Sequence, residues 1–271
     1  MRIRKAVVGI DLGGTNLRFA LVRAEGAIVK RLRQPTSIHE GWESLLGRLA
    51  AGVAQLAEEA AAEGITVEGV GIGVPGLIGS DGFVHSSVNL LPLEGRNIGE
   101  ALKRSTGFPV VAANDANAIA FGEKMYGAGR GFSSFLMFTI GTGIGSGLVL
   151  DGRLWKGRDG FAAEYGHATV EPDGLDCGCG NHGCLERYAS ATAIVDCVTK
   201  ELRRGRESSL AAIPETDLSA EHVAEAASAG DELARSVYVR AGRYLGVAAA
   251  SAVSLLNLEA IILGGGVAAS F

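Results

Sequence analysis

Apolar runs alternate with glycine-rich turns from the start of the chain. Residues 6–10 form an apolar, β-branched run that stops at Asp11, and Gly13-Gly14-Thr15-Asn16 makes a tight turn. Residues 17–22 continue as a second apolar run, and Glu25-Gly26 turns the chain into Ala27-Ile28-Val29. Short apolar runs punctuated this way predict an antiparallel meander. The pattern returns at Phe135–Ile140, the turn Gly141-Thr142-Gly143-Ile144-Gly145, residues 146–150, and Asp151-Gly152 before Arg153-Leu154-Trp155. Two copies of one pattern predict a duplicated architecture.

Helical spacing fills the intervals. Residues 41–64 are rich in Ala and Leu with Glu and Arg interspersed, which predicts a helix. Residues 67–74 read as a strand entering the turn Val74-Pro75-Gly76, and 97–106 as a short helix. Residues 108–112 read as a buried, parallel-type strand ending at Asn114-Asp115-Ala116-Asn117, with a helix over 118–126. After the second meander come an amphipathic helix over 188–202, helices over 217–229 and Glu232–Leu256, and a strand over 260–263 before Gly264-Gly265-Gly266. Strands alternating with helices predict an α/β class. We expect a small N-terminal domain over 1–113 and a larger one over 114–271.

Composition sets bounds on this picture. A chain of 271 residues, 47% hydrophobic, can bury one large core or two smaller ones. The net charge of -5 argues against a nucleic-acid partner, which needs a basic stripe. No apolar run approaches the roughly 20 residues that span a bilayer. Met1-Arg2-Ile3-Arg4-Lys5 leads straight into a strand with no apolar signal segment. The expectation is a cytoplasmic protein in a reducing compartment, where thiols stay free.

Three of the four cysteines, Cys177, Cys179 and Cys184, fall in one short window, with His167 just upstream. Thiolates and imidazole are the ligands of tetrahedral structural zinc. Gly178, Gly180 and Gly183 let the loop fold back so that three sulfurs reach one ion. A disulfide plus a spare thiol is the alternative, but the odd number favours metal. His182, inside the loop, competes with His167 as fourth ligand. Cys197, among Ile194, Val195 and Val198, reads as a core thiol, and Arg203-Arg204-Gly205-Arg206 as a solvated loop.

The glycine turns admit two readings. Backbone N–H groups in such turns converge on anions, and Asp11 at a strand end can hold hydrated Mg²⁺; an ordinary hairpin with an Asp turn residue has the same pattern. Asn114-Asp115 stands where open α/β sheets place their ligands, at the carboxyl end of a strand. One of the pair can equally cap the following helix.

The ordered set Asp11-Leu-Gly-Gly-Thr-Asn16, Gly73-Val-Pro-Gly76, Asn114-Asp115-Ala-Asn117, Gly141-Thr-Gly-Ile-Gly145, Glu164-x-x-His167, Cys177-x-Cys179-Gly-x-x-Gly-Cys184-Leu-Glu186 and Gly264-Gly-Gly266 resembles the ROK family of bacterial repressors and sugar kinases. The resemblance covers nearly the whole chain. It implies an actin-like (ribonuclease H-like) duplicated ATPase fold, with two domains around a cleft and a phosphate hairpin from each. It further implies ATP with Mg²⁺, served by Asp11, Gly13, Gly14, Thr15, Asn16, Thr139, Gly141, Thr142 and Gly143, with Gly264, Gly265 and Gly266 flanking the adenosine. Asp115 matches the family's general base. Asn89, Asn114, Asp115, Glu164, His167 and Glu186 match its sugar-contacting positions, though Asn89 also reads as a turn residue. His167, Cys177, Cys179 and Cys184 would hold structural Zn²⁺, with the second ring nitrogen of His167 near the sugar.

Glu186 in Cys-Leu-Glu resembles the glucokinases, where an Asp would resemble N-acetylglucosamine kinases. The expected activity is therefore ATP-dependent phosphorylation of the 6-hydroxyl of glucose, within carbohydrate metabolism. The alternatives are a kinase for mannose, fructose, N-acetylglucosamine or N-acetylmannosamine, a polyphosphate donor, or a non-catalytic sugar-binding protein. The repressor branch carries a helix-turn-helix domain ahead of the first meander, and here strand is expected from Ala6. A homodimer is expected from the family. Family members continue past the last glycine turn through further helices, the last returning to the first domain, whereas this sequence ends at Phe271.

Overall fold

The computed structural model describes residues 4–87 and 90–270. The chain forms two compact units, Met1–Arg130 with Leu154–Ala162, and Gly131–Arg153 with Ala163–Phe271. These extents differ from the expected 1–113 and 114–271: the helix after Asn114 packs on a strand of the first unit, and residues 154–162 return to it.

In the first unit, β1 (Arg4–Leu12) buries Ala6, Val8, Ile10 and Leu12 and turns Val7 and Asp11 outward, the period-two pattern of a strand covered on one face. It pairs antiparallel with β2 (Asn16–Arg23), which pairs antiparallel with β3 (Ile28–Pro35). Helix α1 (Trp42–Ala62) lays Leu45, Leu49, Val53, Leu56 and Ala60 on the sheet at helical spacing. Gly52 sits on that stripe because a Cβ there would come within 2.5 Å of the Phe19 ring tip. Burying a side chain such as Phe19 contributes about 1.5–3 kcal/mol.

Strand β4 (Ile65–Val74) runs parallel to β1. A small antiparallel sheet follows, of β5 (Leu77–Ile78), β6 (Phe83–Ser86) and β7 (Arg96–Asn97). Helix α2 (Ile98–Thr106) starts where Asn97 Oδ1 accepts the Glu100 N–H at 2.9 Å, and it stops at Gly107, φ 75°. Strand β8 (Val110–Asn114) is parallel to β4, as expected, and closes the order β3-β2-β1-β4-β8. It is not buried throughout as expected: it is the sheet edge, so only Ala112 is buried and Val111 is 67% exposed. Helix α3 (Asp115–Tyr126) follows without a loop and packs on β4.

The second unit repeats the arrangement. Strand β9 (Phe135–Ile140) pairs antiparallel with β10 (Ile144–Leu150); β11 (Arg153–Leu154) lies beyond β10. The expected helix over 188–202 is two helices, α4 (Glu186–Ala189) and α5 (Ala191–Arg203). Ser190, extended at ψ 164°, breaks the run, and its hydroxyl caps α5 by accepting the Ala193 N–H at 3.1 Å. Helix α6 (Ala220–Ser228) packs on α7 (Glu232–Leu256), which buries Leu233, Val237, Ala241, Leu245, Ala248 and Ala252. Strand β12 (Ala260–Gly264) then runs parallel to β9, giving the order β11-β10-β9-β12. Each unit thus has one strand flanked by an antiparallel successor and a parallel latecomer, which is the duplication the sequence pattern predicts. Among the described residues no helix is long and apolar enough to cross a membrane.

Candidate active site

The β1–β2 turn is a closed loop of backbone bonds. The Gly13 N–H donates to Asn16 O at 3.0 Å, the Thr36 hydroxyl donates to Gly13 O at 2.6 Å, and the Thr36 N–H donates to Thr15 O at 2.9 Å. Arg33 fixes the Asn16 side chain at 3.0 Å. Asp11 stands opposite Arg18 in the register, and Arg18 Nη1 lies 3.0 Å from its Oδ2. This exposed pair is worth at most about 1 kcal/mol, so a hydrated divalent ion can compete for the carboxylate. Arg18 is a neighbour that the sequence reading missed. The hairpin register, which sets residue 11 against 18, is the signal that finds it.

Asp115 is the first residue of α3, on the end of β8. Gly73 lies beneath it in the neighbouring strand, where a Cβ would come 3.4 Å from Asp115 Cα. Burial raises the Asp115 pKa above its ordinary 3.8; the Ala116 N–H, donating at 2.8 Å, opposes the rise, and the Asp11 charge adds to it. Asn114 does cap α3, accepting the Asn117 N–H at 3.0 Å, and its amide donates to Gly76 O at 3.1 Å. Each half of that amide keeps capacity for one more hydrogen bond. The first unit therefore brings Asp11, Asn114 and Asp115 to the same end of one sheet, at the ends of β1 and β8 on either side of β4. Asn89 lies outside the described residues.

In the second unit the Gly141–Gly145 turn joins β9 to β10. The Gly141 N–H donates to Gly143 O at 2.9 Å. The start of α5 rests on the turn: the Ala191 N–H donates to Gly141 O at 2.8 Å and the Thr192 hydroxyl to Thr142 O at 2.8 Å. Thr139 on β9 pairs with Gly145 and with Gly264, so the last glycine turn lies beside the phosphate-type turn. Gly265, φ 92°, takes a backbone conformation that suits glycine, and a Cβ there would meet the Ile140 backbone. Gly266 completes that turn.

Glu164 precedes the short turn Tyr165–His167, and Ser146 of β10 ties both flanks of Glu164: its hydroxyl accepts the Tyr165 N–H at 2.9 Å and donates to Ala163 O. Ala163 is left-handed at φ 69°, a strain of roughly 1–3 kcal/mol held by these bonds. Glu186 opens α4, and its Oε2 accepts the Ile144 N–H at 2.8 Å. Sequence reasoning missed this link, because the partners are 42 residues apart.

His167, Cys177, Cys179 and Cys184 present four ligand atoms all within 4.8 Å of one another. Cys177 Sγ lies 3.7 Å from His167 Nδ1, and Cys179 Sγ lies 3.7 Å from Cys184 Sγ. Tetrahedral zinc, with bonds of about 2.3 Å to sulfur and about 2.0–2.1 Å to nitrogen, spaces its ligands about 3.6–3.8 Å apart. The donor set fits. Because Nδ1 faces the sulfurs, Nε2 is the nitrogen left for another ligand. Burial, with two thiols alongside, pushes the Cys184 thiol up to about 12, so a bound cation must displace that proton. Asn181 ties the loop by donating to Thr169 Oγ1 at 3.0 Å. His182 is no ligand: it is exposed and pairs with Asp176 at 2.6 Å.

The ROK family model matches residues 7–270. A glucokinase of Thermotoga maritima is 38% identical over 265 residues, which is 96% of this chain and 82% of that protein. The crystal structure of a ROK family glucokinase from Streptomyces griseus, in complex with glucose and AMPPNP, is similar at a TM-score of 0.83 and 34% identity, over 98% of this chain and 84% of that one. A ROK family transcriptional regulator, a homologue of the Escherichia coli Mlc protein, is similar at a TM-score of 0.89 and 35% identity, over 99% of this chain and 67% of that one. The duplicated α/β architecture is the actin-like ATPase fold of these sugar kinases. The chain belongs to the ROK family.

Proposed function

We propose that the chain is an ATP-dependent glucokinase that phosphorylates the 6-hydroxyl of glucose. The observation that carries this reading is Asp115, a half-buried carboxyl at a strand end with a raised pKa. A carboxylate whose pKa is raised by burial pulls harder on a proton than an ordinary one. In the reaction the 6-hydroxyl oxygen attacks the γ-phosphorus, the bond from that phosphorus to the ADP oxygen breaks, and the hydroxyl proton passes to Asp115. Identity of 34–38% to bacterial glucokinases supports the sugar and the donor.

Asn114, Glu164, His167 and Glu186 supply the acceptors and donors a polyhydroxylated sugar needs, with Asn89 assigned to the same task by family resemblance. By family resemblance, Gly13, Gly14, Thr15, Asn16, Thr139, Gly141, Thr142 and Gly143 are assigned to the phosphates, and Gly264, Gly265 and Gly266 to the adenosine. Mg²⁺, when bound through Asp11, neutralises charge on the phosphates. His167, Cys177, Cys179 and Cys184 would hold a structural Zn²⁺, which would fix the His167 ring. The protein is cytoplasmic, and it is a homodimer.

A coupled assay with ATP, Mg²⁺ and a sugar panel tests the reading, with polyphosphate as a second donor. Turnover of glucose with ATP, lost in Asp115→Ala while glucose still binds, is the expected result. Preference for an N-acetylhexosamine, or glucose binding with no turnover in either chain, would overturn it.

A further inference from the structure

We propose that Glu186 couples sugar occupancy to the phosphate turn of the second unit: one carboxylate both contacts the sugar and clamps the Gly141–Gly145 turn. The inference rests on the reading in which Glu186 faces the sugar and the turn faces phosphate. Its geometry stands apart from that reading. Glu186 Oε2 accepts the Ile144 N–H at 2.8 Å, where the turn passes into β10. Gly143 lies so close that a Cβ there would overlap the same oxygen. On the other side of Ile144, a Cβ on Gly166 would overlap the Ile144 carbonyl oxygen.

The Ile144 backbone is thus held between Cys184-Leu-Glu186 and Glu164-x-Gly166-His167, the two segments assigned to sugar recognition. The clamp bond uses one carboxylate oxygen, and a carboxylate has two with about four lone-pair sites. The other oxygen can accept a sugar hydroxyl. When it does, the Glu186 rotamer is fixed, and Ile144 and the turn N–H groups beside it are fixed in turn. The first residues of α5, bonded to Gly141 and Thr142, extend the same rigid body. Linkage requires that the effect be reciprocal, and couplings of about 5–150-fold are usual.

The test is calorimetric titration of the full chain with AMPPNP and Mg²⁺, with and without saturating glucose, and of glucose with and without AMPPNP. In the wild type each ligand should tighten the other by the same factor, at least about 5-fold. Glu186→Gln keeps an oxygen for the Ile144 N–H, so it should weaken glucose while leaving AMPPNP affinity in the absence of sugar unchanged. Glu186→Asp, one methylene shorter, cannot span both partners, and its coupling factor should fall to about 1. Gly143→Ala, which displaces Oε2 from the nucleotide side, should raise the KM for glucose more than it lowers kcat. A wild-type factor of 1 with both ligands bound, or an undiminished factor in Glu186→Asp, would overturn the coupling and leave the kinase reading standing. Failure of glucose to bind the wild type would overturn both.

Discussion

Asp115→Asn should change activity and stability in opposite directions. The substitution keeps the size of the side chain and an acceptor for the Ala116 N–H, now 2.8 Å away, but removes the base. A positioned general base contributes about 10²–10⁴-fold. At 1.36 kcal/mol per decade that is roughly 2.7–5.5 kcal/mol of transition-state stabilisation. Stability follows from the sign of the pKa shift. The folded-state pKa is raised above the unfolded value near 3.8, so the carboxyl stabilises the fold only while protonated. That contribution is complete below pH 3.8 and is lost as pH rises through the folded pKa. At pH 7 the buried carboxylate is a cost, and the neutral amide relieves it.

The melting temperature of Asp115→Asn should therefore exceed that of the wild type at pH 7, and the gain should vanish below about pH 4. In a chain of this size each 1 kcal/mol moves Tm by about 2–4 °C. A coupled kinase assay gives kcat, and scanning calorimetry at pH 7 and pH 4 gives the other half. A kcat within about tenfold of wild type, or a lower Tm at pH 7, would refute the assignment of Asp115 as a half-buried base with a raised pKa.

Three further outcomes are expected. Elemental analysis should find one zinc per chain, lost in Cys179→Ser and kept in Cys197→Ser, since Cys179 is an exposed member of the cluster and Cys197 lies outside it; zinc affinity should rise with pH as thiol protons leave more easily. Gly183→Ala should lower the urea-unfolding free energy by roughly 2–5 kcal/mol, because Gly183 is left-handed at φ 66° and a Cβ would overlap Glu171 O. Asp231 caps α7; burial would raise its pKa, but bonds from Ala234 N–H, Ser208 and Ser209 outweigh that and depress it from 3.8 to about 2. Its contribution is present above about pH 4 and lost toward pH 2, so Asp231→Asn should cost roughly 1 kcal/mol at pH 7, allowing for screening at this half-exposed site, and progressively less below pH 4.

What was legible in the sequence was whatever local chemistry imposes. The alternation in β1 follows from one covered face, and the convergence of His167 with three cysteines follows from donor type and glycine spacing. The break at Ser190 was not legible, because apolar residues keep helical spacing across it and only the backbone turn of one serine divides α4 from α5. The exposure of Val111 was hidden too: an edge strand and a central parallel strand have the same apolar run, and the neighbour on the far side is a tertiary fact. The return of residues 154–162 to the first unit has no compositional mark. His182 and His167 were equal in donor chemistry, and the nearby Asp176 decides between them by taking His182.

The two copies of the glycine turn are the same backbone device held by different means, and that difference carries functional meaning. In the first unit the turn is closed from its own meander, by Thr36 at the end of β3 and by Arg33 on Asn16. Its shape is therefore set by local sequence and is independent of any distant segment. In the second unit the corresponding strand, β11, is too short to reach back, and closure comes from Glu186, Thr192 and the Ala191 N–H. These lie on the segment that follows the 177–184 loop, so the cysteine–histidine cluster, Glu186 and the turn form one connected stretch. Duplication supplied two glycine turns, but only the second is held by a residue that the proposed function assigns to the sugar. A ligand can shift an equilibrium only through groups whose contacts differ between its states. Sensitivity of nucleotide binding to sugar is therefore expected at the Gly141–Gly145 turn and not at Gly13–Asn16.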